Sequence, residues 1–124
     1  MTAVIIIINN YLHDVATAVL IASAAVVWAL DRAVARDGGG RAGELLRAAY
    51  PKLVLVARAA LVWIILGGIP RTIFFTRYEW DPAVTRGIVP ALAVKHVLMA
   101  AGVLIGAVMW LRIGHRMRAA DSAA

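Results

Sequence analysis

The sequence predicts an all-α integral membrane protein. Three transmembrane helices form a small bundle, with the N-terminus outside and the C-terminus in the cytoplasm. Three observations lead there. First, three apolar stretches, about 4–30, 53–75 and 88–113, each exceed the ~20 residues a helix needs to cross ~30 Å of hydrocarbon. Second, 63% of the 124 residues are hydrophobic, and mean hydropathy is +0.83, too apolar for a soluble domain of this size. Third, the basic residues are divided unevenly between the two sides.

The first stretch carries a polar stripe: Asn9, Asn10, Asp14 and Thr17 lie beside His13 or one turn from it, where neighbours share a helix face. It has no basic n-region, and Ala22-Ser23-Ala24 is a weak cleavage site, so it is expected to be retained rather than removed as a signal peptide. Residues 31–52 follow as a polar connector, with Asp37-Gly38-Gly39-Gly40 and Pro51 as turn formers. The second stretch holds Gly67-Gly68 near its far end and Arg58 near its start, where a long side chain snorkels to the interface. The second connector, 76–87, contains Asp81-Pro82. The third stretch contains Lys95, His96 and the spacing Gly102-xxx-Gly106, a close-approach motif. No repeat or linker divides the chain, so residues 1–124 read as one membrane domain.

Orientation follows from the cations. Arg32, Arg36, Arg41, Arg47 and Lys52 in the first connector share a side with Arg112, Arg116 and Arg118. The other side has Arg71, Arg77 and Arg86. The richer side is expected to be cytoplasmic, which places the protein in the cell inner (cytoplasmic) membrane as a multi-pass protein. Trp28, Tyr50 and Trp110 fall at the inner interface, and Tyr78 and Trp80 at the outer one, as an aromatic belt requires. A net charge of +6 would suggest a nucleic-acid partner in a soluble protein. Here it orients the spans and meets anionic lipid headgroups, and no nucleic acid is expected. With no cysteine, disulfides, thiolate catalysis, Cys-ligated iron–sulfur clusters and covalent c-type haem are excluded.

Within this frame the histidines carry the functional expectation. His13 lies about nine residues into the first span and His96 about eight into the third, both counted from the outer side. Both rings therefore lie ~12–14 Å below that edge at 1.5 Å per residue. Ionisable rings are costly in hydrocarbon and are functional candidates by default. Two at one level suit the clamping of one haem b iron from both faces, with His13 and His96 as the metal ligands. Gly67 and Gly68 would supply a wall without side chains, and an asparagine or carbonyl one turn from a histidine would hold its second ring nitrogen. Arg71, Lys95 and Arg77 would meet the propionates. Other readings stay open. His13 and Asp14 could relay protons in a proton-conducting or transport subunit, or each histidine could bond a neighbouring helix in a non-redox structural or assembly subunit. Copper would want a third ligand, and Met99 is the nearest, one turn deeper than His96. His115, among cations in the tail, reads as solvated.

Through Tyr11-Leu12-His13-Asp14 and Val94-Lys95-His96 on a three-span plan, the chain resembles small b-type cytochrome subunits of membrane redox complexes. In those, one haem lies between two histidines on separate helices. The chain lacks the second, inner histidine pair of transmembrane dihaem cytochromes. The resemblance implies an electron-transfer subunit or membrane anchor rather than a complete enzyme. Electrons would pass between quinol or a neighbouring membrane subunit and a redox protein on the outer side, and a quinone site could lie near Tyr11 and Asp14. Three helices expose much surface, so other membrane subunits or a homo-oligomer are expected partners.

Overall fold

A computed structural model of the protein describes residues 2–37 and 40–122. It is helical almost throughout. Helix α1 spans Thr2–Asp37 and α2 spans Gly40–Ile73; α3 is a short helix, Asp81–Thr85, and α4 spans Val89–Ser122. Within them, Ala3–Arg36, Gly40–Ile73 and Val89–Ala119 are long and apolar enough to cross a membrane.

The three long helices are those the apolar runs indicate, but they outreach their spans. α2 starts at Gly40, well before the expected 53, because 40–52 is rich in Ala, Leu and Arg, which favour helix. The expected connector 31–52 is therefore helical at 31–37 and 40–52, while the expected turn formers Gly38 and Gly39 lie outside the described residues. Pro51 is inside α2, as is Pro70. A proline costs an interior helix one hydrogen bond and a clash, yet the helix runs on past Pro70, whose carbonyl accepts from the Phe74 N–H at 3.0 Å.

The second connector is also helical. After Ile73 the chain widens into a π turn over Thr76–Trp80, closed by the Asp81 N–H donating to the Thr76 carbonyl, and runs into α3. α3 ends on Gly87 at φ 67°, the left-handed conformation glycine adopts without strain. There the Ile88 N–H reaches the Ala83 carbonyl at 2.9 Å and the Gly87 N–H reaches Val84 at 3.1 Å. α4 then starts with Pro90 in its first turn, where a missing N–H costs nothing.

α1 is the central helix, packed along both α2 and α4. The end bearing the π turn and α3 is the cap end, and the end where α1 finishes and α2 begins is the hairpin end. In mid-bundle Ala16, Leu20, Ala57 and Ala60 form a core with Ile64, Val103 and Trp110 against it. Toward the hairpin end Val27, Leu46 and Ile113 form a second. Small residues let the backbones approach, which drives packing where lipid is as apolar as the side chains. A Cβ on Gly102 would collide with the Ile21 Cδ1, and one on Gly106 would lie 3.5 Å from Leu20; the spaced glycines seat α4 on α1. Buried Thr17 and Ser23 donate to the carbonyls of His13 (3.0 Å) and Leu20 (2.9 Å) on their own helix. The outward faces are apolar: Ile65, Leu66, Leu98 and Leu104 are each about 60% exposed or more, the surface a lipid-contacting helix presents.

Candidate intramembrane charge cluster

Just below the cap, ionisable side chains from α1, α2, the π turn and α4 meet. Arg71, one turn from the end of α2, is the centre, with its side chain only 10% exposed. Its Nη1 donates to Asp14 Oδ1 at 2.6 Å, its Nη2 to Glu79 Oε2 at 3.1 Å, and its Nε lies 2.8 Å from Glu79 Oε1. The fork on Glu79 is the bidentate geometry that makes arginine–carboxylate pairs strong. Asp14 Oδ2 takes Lys95 Nζ of α4 at 2.7 Å. With the histidines neutral, two carboxylates and two cations balance.

Both histidines join this network. Arg71 Nη1 also lies 3.3 Å from His13 Nδ1. A guanidinium only donates, so that nitrogen accepts and the ring proton is assigned to Nε2. Nε2 faces α2 at Gly68, where an added Cβ would stand 3.6 Å away. His96 is set the other way. Its Nδ1 is 2.8 Å from the Leu92 carbonyl, so it carries the proton, and Nε2 points to Glu79 Oε2 at 3.5 Å. Phe75 packs edge-on against the His96 ring, centroids 5.5 Å apart.

The cluster thus gathers His13, Gly68, Arg71, Lys95 and His96 at one level. Gly67 adjoins it for a different reason: Asn9 Nδ2 donates to its carbonyl at 2.8 Å, and a Cβ there would lie 3.1 Å from Asn9 Oδ1. Asn9 holds α2 rather than the His13 ring. Arg77 stands apart, its guanidinium over the Tyr78 ring at 5.8 Å. His115 is exposed. Glu79 is the member the sequence did not single out. Its signal was weak: a carboxylate eight residues after Arg71, in a segment that read as a loop. Asn10 Nδ2 reaches Glu79 Oε1 at 3.2 Å, leaving its buried Oδ1 without a partner.

The contacts joining the two histidine rings run through the Arg71–Glu79 pair. A porphyrin clamped between the rings would have to take the place of that pair. His96, with Nδ1–H on a carbonyl and Nε2 turned inward, suits an axial ligand. His13 does not, since Nδ1 accepts from Arg71 and Nε2 bears the proton. A bis-histidine haem would therefore require the other tautomer of His13 and release of the Arg71–Glu79 pair. Among the described residues no group of three or more His, Asp or Glu side chains is placed to hold a metal ion. Toward the hairpin end the cluster gives way to the apolar mid-bundle core.

Comparison of the chain with known protein families, characterised proteins and solved structures finds no match.

Proposed function

We propose that this chain is a non-redox structural subunit of a membrane assembly, in which the cluster around Arg71 locks the three spans and the cap into one body. The observation that carries the reading is the pairing of Arg71 within the chain: its Nε, Nη1 and Nη2 meet Asp14, Glu79 and His13. Lys95 is likewise paired to Asp14. Charges in hydrocarbon are expensive unless paired, and here they pair across α1, α2, the π turn and α4. The gain is a fixed arrangement of helices that have little hydrophobic drive to associate in lipid. The broad apolar face of α4 is then held at a set angle for lipid or a neighbouring subunit.

Native mass measurement of protein purified in mild detergent, with an optical scan, tests this. The expected result is an assembly heavier than the 13.3 kDa chain, with no Soret absorption. A coloured chain would overturn it in favour of the haem b subunit, the second reading. That reading draws its support from the convergence of His13, Gly68, Arg71, Lys95 and His96 on one level, and it requires the Arg71–Glu79 pair to be displaced.

A further inference from the structure

A groove of about 540 Å³ runs between α2 and α4 in the half of the bundle nearer the hairpin end. α1 contributes Leu20, and the walls include the small residues Ala57, Ala107 and Gly114. It follows α2 from Tyr50 to Leu61 and α4 from Ala107 to Arg118, eleven steps on each helix, or about 16 Å at 1.5 Å per residue. That is about half of a ~30 Å hydrocarbon core, the depth of one leaflet.

Two arginines belong to its lining, Arg58 and Arg118. Arg118 Nε donates to the Gly114 carbonyl at 3.1 Å, which anchors that side chain against the groove. Arg58 lies five residues beyond the start of the apolar run at 53. Among the described residues it has no ion pair, whereas Asp14, Arg71 and Lys95, the other charges deep in the spans, are all paired. An unpaired guanidinium at that depth calls for an anion.

We infer that this groove binds one anionic phospholipid, an acyl chain lying along Ala57, Ala107 and Trp110 and the phosphate meeting Arg58 and Arg118. The wall of small residues suits an unbranched chain. A second copy of the protein is a poorer occupant, because Asp14, Asp31 and Glu79 are already paired within the chain and the other acids, Asp37, Glu44, Asp81 and Asp121, all lie outside the apolar runs, away from the depth of Arg58. Arg47 and Lys52, near Tyr50 in the α2 sequence, add cations at this end that favour an anionic over a zwitterionic headgroup.

The test uses the full chain, stripped of lipid in detergent and exposed to micelles containing phosphatidylglycerol or phosphatidylcholine, with adducts counted by native mass spectrometry. One phosphatidylglycerol per chain should survive under conditions that remove phosphatidylcholine. Arg58→Gln and Arg118→Gln should each lower that preference about fivefold, Arg58→Lys should preserve it, and Ala107→Leu, which narrows the groove, should remove the adduct. Arg86→Gln, at the cap end, should change nothing. Equal retention of the two lipids, or an Arg58→Gln protein that keeps its preference, would overturn the proposal. So would a lipid-free dimer that Ala107→Leu disperses, since the groove would then belong to a second copy.

Discussion

Arg71 and Asp14, 57 positions apart in sequence, meet at 2.6 Å and tie α2 to α1 at the level where α4 adds Lys95 to the same carboxylate. Asp14 therefore bridges two cations on two helices, each held by a different oxygen. Asp14 is about a third exposed, while Glu79 on the far side of Arg71 is nearly buried. The strength of the cluster is thus concentrated in the Arg71–Glu79 pair.

Breaking that pair from one side should be costly. Arg71→Gln leaves Glu79 as a near-buried carboxylate without its fork, and Glu79→Gln leaves Arg71 short of a counter-charge. Each should lower stability by about 3–5 kcal/mol. Replacing both, Arg71→Met with Glu79→Leu, should recover much of that loss, because a charge pair exchanged for apolar groups is often neutral. Thermal unfolding in detergent reads the cycle. Additive losses in the double variant would show that the two side chains do not act as a pair.

The histidines offer a spectroscopic prediction. Protein purified from haem-sufficient cells should show no Soret band, and His13→Ala and His96→Ala should differ from the parent only in stability. His96→Ala removes the Nδ1–H bond to the Leu92 carbonyl and an edge-on partner of Phe75, so it should cost about 1 kcal/mol. A low-spin haem signal present in the parent and lost in both variants would replace the structural reading. His115→Ala should be silent in every assay.

The spans were legible because an apolar run long enough to cross a bilayer needs no tertiary information. The ends were not. Residues 40–52 read as a connector because Arg41, Arg47, Lys52 and Pro51 mark an interface, yet the same residues are the first turns of α2. The shared level of His13 and His96 was also legible, since 1.5 Å per residue fixes depth once the spans are set. What occupies that level was not. Arg71 and Lys95 read as partners for an outside anion, but Asp14 supplies one from within the chain. Glu79 reaches the cluster only because the segment after Ile73 stays helical through a π turn, a geometry common at special sites and without a residue signature.

Close approach of α4 to α1 gives a steric prediction. A Cβ at Gly102 would overlap the end of the Ile21 side chain. Gly102→Ala can be absorbed by rotation of Ile21, whereas Gly102→Leu must push the helices apart and should cost about 1–3 kcal/mol. Ile21→Ala in the Gly102→Leu background should return part of it. If Gly102→Leu unfolds at the parent temperature, the α1–α4 packing is wrong.

The last prediction concerns sidedness. Three helices long and apolar enough to cross a membrane would put Arg41 and the C-terminal tail on one face and Arg86 on the other. Four cations lie on the cap side, Arg71 and Lys95 in the cluster and Arg77 and Arg86 beyond it, against eight Lys and Arg at the hairpin end. By the positive-inside rule this count leads us to expect a cytoplasmic hairpin end. Since the chain has no cysteine, single substitutions report position without background. Arg86→Cys in intact cells should react with a membrane-impermeant maleimide, and Arg41→Cys should react only after permeabilisation. The opposite pattern would invert the topology and put the Arg71 cluster in the cytoplasmic leaflet. Labelling of both from outside would mean that α2 does not cross the membrane.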